Sequence, residues 1–197
     1  MEAMKKVVNR SFQESIQAKQ LCRERNQEAL IRAASMIVDA FNNENKLMIF
    51  GNGGSAADAQ HIAAEFVNRF MIERPPLPAL ALTTDTSILT SISNDYTFDD
   101  VFSKQVKALG VEGDVAWGMS TSGTSSNVLE ALAVARDRGL RTIGMTGPGG
   151  ARMAEVAQVL LTVDAGTTPR IQECHITMAH IICELVDYQL FQRISAR

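Results

Sequence analysis

Short apolar runs alternate with longer amphipathic stretches along the chain, and this alternation predicts a parallel α/β fold. The apolar runs are predicted strands at 46–50, 79–82, 114–119, 141–145 and 159–163. Runs this short, bounded by glycine or polar residues, are typical of strands buried on both faces. The stretches between and after them are predicted helices at 56–70, 86–92, 98–109, 127–138, near 151–156, and from about 171 to 193. Because strands and helices alternate, we expect right-handed crossovers and a three-layer, doubly wound, Rossmann-like fold with a five-stranded parallel sheet flanked by helices.

The first 44 residues are predicted to form helices that precede the sheet. Leu30, Ala33, Ile37 and Phe41 recur at steps of three or four residues, which marks one face of a helix. The stretch before them, roughly 4–25, has few large apolar residues. It therefore fits two interpretations equally: a helix that packs on another protomer, or a loosely attached terminal helix. We assign 1–44 to helices for packing and oligomerisation, and 35–197 to the α/β domain, within one structural domain overall.

Composition and charge describe an ordinary soluble protein. The 197 residues are 46% hydrophobic and 21% charged, with a net charge of −3, which gives no general attraction to nucleic acid or to anionic membranes. No apolar run approaches the roughly 20 residues that span a bilayer, and the N-terminus lacks the apolar core of a secretory signal. The cysteines Cys22, Cys174 and Cys183 show no metal-finger spacing. We expect reduced core thiols, a cytoplasmic location and neither a nucleic-acid nor a membrane partner.

Two loops follow predicted strands at the place where ligands bind in such folds, beyond the carboxyl ends of the strands. The loop 120–125, Ser-Thr-Ser-Gly-Thr-Ser, offers five hydroxyls at the start of a predicted helix. Hydroxyls and free helix N–H groups can hold a phosphate without a lysine, although a simple polar N-cap fits the same residues. The loop 51–55, Gly-Asn-Gly-Gly-Ser, matches neither a P-loop nor the GxGxxG fingerprint. By itself it indicates only close access to the backbone.

A series of motifs resembles the phosphoheptose isomerase family of the sugar isomerase (SIS) domain. They occur in the family's order and spacing, from about residue 30 to the C-terminus: Gly51–Ser55, His61–Glu65, Ser93–Asp95, Ser120–Gly123, Arg170–Glu173 and His180. The resemblance implies conversion of sedoheptulose 7-phosphate to D-glycero-D-manno-heptose 7-phosphate, through an enediol, on the way to the heptoses of lipopolysaccharide and other bacterial surface glycans. It also implies one zinc ion per subunit and a homotetramer.

The same resemblance assigns roles to individual residues. Its catalytic pair is Glu65 and His180, and its metal ligands are His61, Glu65, Gln172 and His180. Its substrate contacts are Asn52, Gly53, Gly54, Ser55, Glu65, Asn94, Asp95, Ser120, Thr121, Ser122, Ser125 and Gln172. Two positions depart from the common pattern. Thr124 stands where asparagine is usual, and Pro169 stands where an aspartate is expected, so an acid has no role there.

The chemistry itself is compatible with these assignments. Aldose–ketose interconversion moves a proton between C1 and C2, which suits a carboxylate base such as Glu65 and an imidazole acid such as His180. His61 lies four residues before Glu65, so both side chains share a helix face, an arrangement that a solvated surface pair also has. Gln172 and His180 are eight residues apart, about 12 Å along a helix. A shared ion therefore requires Gln172 at the very start of its helix, and we predict that position.

The sequence also contains other candidate residues and is compatible with a second class of function. His175 is predicted to be structural or to lie in an interface, and Arg69 and Arg74 are weaker candidates for contacting a neighbouring protomer's substrate. The alternative function is a non-catalytic adaptor of the same fold that binds the replication initiator, which the segment 73–82 resembles. That group lacks the acid and the histidine found here at Glu65 and His180, and a pure adaptor has no chemical reason to keep them.

Overall fold

Five parallel strands form a single sheet in the computed structural model, which describes residues 1–192. The strands are β1 (Leu47–Gly51), β2 (Ala79–Ala81), β3 (Val115–Ser120), β4 (Arg141–Thr146) and β5 (Val159–Thr162). Their order across the sheet is β2-β1-β3-β4-β5, and every neighbouring pair is parallel. The predicted fold class and all five predicted strands are confirmed. Residues 193–197, which include the predicted end of the last helix and of the domain, lie outside the described residues.

Seven α-helices and two short helical turns connect and cover these strands within residues 1–192. The α-helices are α1 (Glu2–Asn42), α2 (Gly54–Val67), α3 (Thr86–Asp95), α4 (Ser103–Leu109), α5 (Ser126–Asp137), α6 (Ala151–Ala154) and α7 (Thr168–Asp187). A 3₁₀ turn, Phe98–Asp100, precedes α4, and a π turn, Tyr188–Gln192, follows α7. In this part of the chain no helix is long and apolar enough to cross a membrane.

Several predicted helix boundaries differ from the structure. Helix α2 spans 54–67 instead of 56–70, and the helix predicted to end at residue 92 continues through Asn94 and Asp95. The Asp85 side chain caps its first turn, and the Ser93 hydroxyl donates to the Leu89 carbonyl oxygen at 2.7 Å, so the polar sequence still satisfies a helix. The helix predicted over 98–109 is split into the 3₁₀ turn and α4.

Two apolar layers hold the sheet between the helices. On one face, α1, α2 and α7 bury side chains such as Ile37, Ile62 and Met178 against Trp117 of β3. On the other face, α4, α5 and neighbouring residues pack on Phe50 of β1. Trp117 and Phe50 are fully buried, as their positions in predicted strands indicated. The sheet is therefore a rigid platform from which the loops at the strand ends project.

The strand order creates a switch point between β1 and β3. The chain passes from β1 to β2 on one side, then crosses back to β3 on the other side of β1. Gly51 pairs with Met119 across these two strands, so the loops that follow them leave the same edge of the sheet side by side. In open parallel sheets this crevice is where ligands bind. Both loops singled out in the sequence, 51–55 and 120–125, lie there.

At the amino-terminal ends of the strands, an ion pair between Lys46 and Asp114 fixes the beginnings of β1 and β3. Asp114 is fully buried, and its carboxylate binds the Lys46 ammonium group and accepts hydrogen bonds from the backbone N–H groups of Lys46 and Val111, each at 2.9 Å. Burial alone would raise the pKa of Asp114, but the hydrogen bonds from Lys46 and Val111 and the charge of Lys46 outweigh it and hold this pKa below its usual value.

We expect Asp114→Asn to lower the free energy of unfolding at pH 7 by about 2 kcal/mol, because the Lys46 ammonium group and two backbone donors lose their charged acceptor. A depressed carboxyl pKa stabilises the folded protein above the unfolded pKa of about 4, and this stability fades as pH falls through the lower folded pKa. Urea unfolding at pH 7 and at pH 3 should therefore give a difference between wild type and variant that shrinks at pH 3. An equal difference at both pH values would contradict this account.

Candidate active site

Three side chains with metal-ligating atoms meet where α2 packs against α7. The Nε2 atoms of His61 and His180 are 2.9 Å apart, and His61 Nε2 lies 3.4 Å from a carboxylate oxygen of Glu65. One ligand atom from each residue lies within 4.8 Å of the other two. His61 is exposed, whereas Glu65 and His180 are half-buried. One protomer thus brings together residues that stand 119 positions apart along the chain.

The donor set of this cluster suits a divalent metal ion. Two like imidazole nitrogens at 2.9 Å either share one proton or direct both lone pairs at a common cation. Two imidazoles and one carboxylate are the ligand types that zinc takes in catalytic sites, where a fourth position stays open. The Phe70 ring packs beside His180, with ring centroids 5.4 Å apart, and partly shields it from solvent. The geometry therefore fits a cation with an open coordination position.

Gln172 lies apart from the start of its helix and makes a different contact from the one predicted. Helix α7 begins at Thr168 and Pro169, because proline lacks the N–H that a first helical turn leaves unpaired, so Gln172 is the fifth helical residue. The prediction that it starts the helix is wrong. Its side-chain amide lies so close to Gly54 that a Cβ added there would overlap it. Gln172 therefore borders the glycine loop at the first turn of α2.

These contacts show that α2 and α7 run in the same direction. Gln172 lies beside Gly54 at the start of α2, and His180, eight residues later, lies beside His61, seven residues later. The glycine loop at the start of α2 and the three-donor cluster therefore lie about two helical turns apart along the contact between α2 and α7.

The glycine loop is tied to the second loop by a pair of amide hydrogen bonds. The Asn52 amide donates to Asn127 Oδ1 at 2.8 Å, and the Asn127 amide donates to Asn52 Oδ1 at 2.9 Å. Asn127 stands in the first turn of α5 and is only 2% exposed. Asn127 was not predicted from the sequence. The one available signal was an amide side chain at the start of the predicted helix 127–138. Ser55 is buried in the first turn of α2, within the same loop.

The hydroxyl-rich loop is folded on itself above the N-terminus of α5. Ser120 Oγ lies 2.9 Å from Ser125 Oγ and 3.3 Å from Ser122 Oγ, and it accepts the Gly123 N–H at 3.2 Å. Ser125 is the N-cap residue of α5, yet its side chain makes no capping hydrogen bond. The first N–H groups of α5 are thus left without their usual side-chain acceptor. This arrangement favours an anion site over a simple polar cap.

A third loop supports the hydroxyl loop from below. The Gly147 N–H donates to the Thr121 carbonyl oxygen at 3.2 Å, which joins the end of β4 to the loop after β3. Gly123 has a φ of +70° and lies against Thr146 and Gly149, so its backbone is enclosed by this third loop. The shape of the hydroxyl loop is therefore set by packing and not by its own hydrogen bonds alone.

The remaining predicted residues lie elsewhere. Asn94 and Asp95 are exposed at the end of α3, where the Asn94 amide donates to Asp95 at 2.9 Å, and within residues 1–192 no hydrogen bond joins them to either loop. His175 is fully buried, and burial lowers its pKa to about 4, so it is a neutral core residue. Arg74 does not face a neighbouring protomer, because its side chain is buried and paired with Asp187. The suggestion that Arg74 contacts a neighbour's substrate is therefore wrong.

Comparison with known proteins identifies the family. Residues 11–147 match the SIS domain family. The phosphoheptose isomerase of Nitratidesulfovibrio vulgaris strain Hildenborough is 55% identical over 171 residues, which are 87% of this chain and 82% of that protein. This chain belongs to the phosphoheptose isomerase family. Another member, from Aquifex aeolicus, is 50% identical and aligns over 98% of this chain and 99% of its own length.

Solved structures of the phosphoheptose isomerase family agree with the fold. The Neisseria gonorrhoeae member superposes with a TM-score of 0.88 at 47% identity, covering 93% of this chain and 98% of its own. The Francisella tularensis member gives a TM-score of 0.89 at 38% identity, covering 95% of this chain and 99% of its own. A transcription factor's sugar isomerase domain from Sphaerobacter thermophilus, at 18% identity and a TM-score of 0.64, shares the fold alone. The fold is common to enzymes and regulators, so the fold alone does not determine the activity, and the site residues do.

Proposed function

We propose that this chain is an aldose–ketose isomerase that converts sedoheptulose 7-phosphate to D-glycero-D-manno-heptose 7-phosphate. The observation that carries the proposal is the meeting of Glu65 and His180, from two helices far apart in sequence, on the helix that follows the glycine loop. Asn52 and Asn127 tie that loop to the start of α5, where the hydroxyl loop ends. The identity to phosphoheptose isomerases over most of the chain supports the same activity. In this proposal the hydroxyl loop would hold the phosphate, and Glu65 and His180 would face the reacting carbons.

The phosphate of the substrate would bind at the loop 120–125. Ser120, Ser122 and Ser125 form one hydroxyl cluster over the N-terminus of α5, where the helix dipole favours an anion. The Gly51–Ser55 loop and Gln172 would line the sugar chain between the phosphate and the catalytic pair, as would Thr121. Asn94 and Asp95, which extend from α3, remain assigned to the substrate by the family resemblance alone.

The proton transfer would be carried out by Glu65 and His180. The Glu65 carboxylate takes a proton from C1 of the ketose, and electrons move onto the C2 carbonyl oxygen, which gains a proton from His180 to give the enediol. Glu65 then gives its proton to C2, and the O1 hydroxyl gives its proton to the neutral His180 imidazole as C1 becomes the aldehyde. The net change moves one proton from C1 to C2 and, through His180, one from O1 to O2, and both side chains return to their starting protonation states.

His61, Glu65 and His180 would hold a zinc ion, one per subunit. When bound, zinc polarises the substrate carbonyl and adjacent hydroxyl and stabilises negative charge on oxygen. Glu65 keeps a second carboxylate oxygen, and His180 a second ring nitrogen, beyond the atoms that face His61. Gln172 was predicted as a fourth ligand from the resemblance, but its contact with Gly54 supports a role toward the substrate instead.

The homotetramer remains assigned by the family resemblance, and association between copies of the chain is supported by the outer half of α1. Its buried residues begin at Ala18, whereas Met4, Val8, Phe12 and Ile16 stand exposed at steps of four residues along one helix face. A one-sided apolar row of this kind is typical of a helix that packs on another protein surface. This favours the first of the two interpretations of the N-terminal segment.

The setting of the reaction follows from the same proposal. Cys22, Cys174 and Cys183 are all free and buried, which supports a reducing, cytoplasmic environment. The heptose phosphate would then feed the precursors of lipopolysaccharide core or other surface glycans. A non-catalytic adaptor is disfavoured, because Glu65 and His180 converge in one cluster and have no evident use in an adaptor.

The proposal is tested by incubating the purified full chain with sedoheptulose 7-phosphate, with and without added Zn²⁺, and following the reaction by NMR. We expect anomeric proton signals of the aldose to grow at the expense of the ketose until equilibrium is reached. A sample denatured by heat is the control for spontaneous conversion. No conversion above that control, even with added Zn²⁺, would exclude the isomerase and favour the adaptor.

A further inference from the structure

A buried arginine joins the ends of the two helices that carry the catalytic pair. Arg74 lies in the segment after α2, and its side chain is only 1% exposed. Its guanidinium group donates to the Glu65 carbonyl oxygen at 2.8 Å, to the Phe66 carbonyl oxygen at 2.8 Å, and to Asp187 Oδ1 at 2.7 Å. A longer contact reaches the Pro75 carbonyl oxygen at 3.1 Å. One side chain thus binds α2, α7 and the segment between α2 and β2.

The two strong backbone contacts cap the C-terminus of α2. The last four carbonyl groups of a helix have no partner within the helix, and in α2 these include the carbonyl groups of Glu65 and Phe66. Arg74 supplies donors to both, and its positive charge also suits the negative end of the helix dipole. The capped turn is the turn that holds the Glu65 side chain. Arg74 therefore restrains the position of that turn, together with the Leu77 N–H group, which also donates to the Phe66 carbonyl oxygen at 3.1 Å.

The acidic partner of Arg74 ties this cap to α7. Asp187 is the last residue of α7 and stands seven residues, or two turns, after His180, so the two side chains share a helix face. Asp187 is 4% exposed, and its Oδ2 atom has no hydrogen-bond partner. Its buried charge is therefore compensated through Arg74. The contact links α7, which carries His180, to the last turn of α2, which carries Glu65.

We propose that Arg74 and Asp187 are positioning residues that set the separation of Glu65 and His180. Helices α2 and α7 are joined by Gln172 beside Gly54 and His61 beside His180, and Arg74 adds a link between the end of α2 and Asp187. In this link Nε donates to Asp187 in a buried, charge-assisted hydrogen bond, while the other two nitrogens of the same planar group bind the α2 carbonyl oxygens, so the end of α2 and the end of α7 are held by one rigid group. The kinetic part of this inference rests on the proposed isomerase function.

The test compares Arg74→Lys and Asp187→Asn with wild type. Lysine keeps the positive charge but cannot donate a planar fork to two carbonyl groups and a carboxylate together. We expect kcat to fall about 100-fold in Arg74→Lys with KM changed by less than about threefold, because misplacing reacting groups by about 1 Å costs that much. Asp187→Asn should show a smaller fall in the same direction. If Arg74→Lys does not fold, as judged by far-UV circular dichroism, Asp187→Asn decides.

A second readout does not depend on turnover. We expect the affinity for Co²⁺, followed by its visible absorption in the metal-free protein, to fall about tenfold in Arg74→Lys, since residues behind metal ligands tune affinity by that order. Asp114→Asn is the matched control, because it breaks an ion pair at the amino-terminal ends of the strands, away from the glycine and hydroxyl loops. It should lower the melting temperature yet leave kcat and Co²⁺ affinity unchanged.

The outcomes separate the two proposals. If Arg74→Lys and Asp187→Asn match the Asp114→Asn control in both kcat and Co²⁺ affinity, the clamp serves stability only and the positioning role is overturned. If wild type lacks isomerase activity but Co²⁺ affinity falls only in the clamp variants, positioning stands and the proposed function fails. If kcat and Co²⁺ affinity both fall selectively, the positioning role is supported.

Discussion

Replacing Glu65 by glutamine is expected to lower kcat for sedoheptulose 7-phosphate by about 10³-fold, because an amide of the same shape cannot accept the C1 proton. His180→Gln should lower kcat by about 10²-fold or more, since the imidazole acid that protonates the substrate oxygen is lost while the Glu65 base remains. Both variants keep the side-chain volume, so KM should change far less than kcat. Progress curves followed by NMR at several substrate concentrations give both constants.

Glu65 is proposed both as base and as metal ligand, so the two effects need separation. Exchange of substrate hydrogen with solvent deuterium reports proton removal itself, and it should vanish in Glu65→Gln even at saturating Zn²⁺. Glu184→Gln is the matched control, because Glu184 is exposed on the same helix as His180 and the substitution removes the same charge. Turnover that persists undiminished in both Glu65→Gln and His180→Gln would refute the assigned roles.

The sheet was predictable from sequence because its central strands are buried on both faces. Segments such as Leu47–Gly51 have no exposed position, so they appear as unbroken apolar runs next to glycine-rich loops. The end of α3 was not predictable in the same way. Its sequence, Thr86–Asp95, is rich in serine and threonine, which favour turns locally. The helix persists because hydroxyls such as Thr90 Oγ1 donate to carbonyl oxygens one turn back.

The catalytic pair could be predicted only in part from residue spacing. The four-residue step from His61 to Glu65 places them on one helix face, but periodicity does not say which distant helix covers that face. His180 was assigned from the family resemblance, and the structure supplies the contact. Arg74 and Asn127 were missed as structural links, because their partners lie 113 and 75 positions away in sequence. Such long-range pairs leave no local pattern.

The loop 120–125 offers the second large effect, through Gly123→Ala. Gly123 has a φ of +70°, and an added Cβ would lie 2.5 Å from Thr146 Oγ1 and 2.7 Å from the Gly149 carbonyl oxygen. Because Thr146 ends a central strand and Gly149 contributes backbone, the loop itself must shift. Displaced hydroxyls and helix N–H groups no longer converge on one anion. We expect KM for sedoheptulose 7-phosphate to rise about 100-fold, with a smaller fall in kcat.

Gly139→Ala separates the loss of phosphate binding from ordinary backbone strain. Gly139 also has a positive φ, +78°, so alanine costs about 1–2 kcal/mol at either position. At Gly139, however, the nearest atom is Cγ of the Glu112 side chain, 3.1 Å away, which can move aside. Both variants should melt at lower temperature, but only Gly123→Ala should weaken inhibition by inorganic phosphate along with substrate binding. Equal KM values in the two variants would mean that the phosphate binds elsewhere, since the hydroxyl loop cannot be distorted and still present the same anion site.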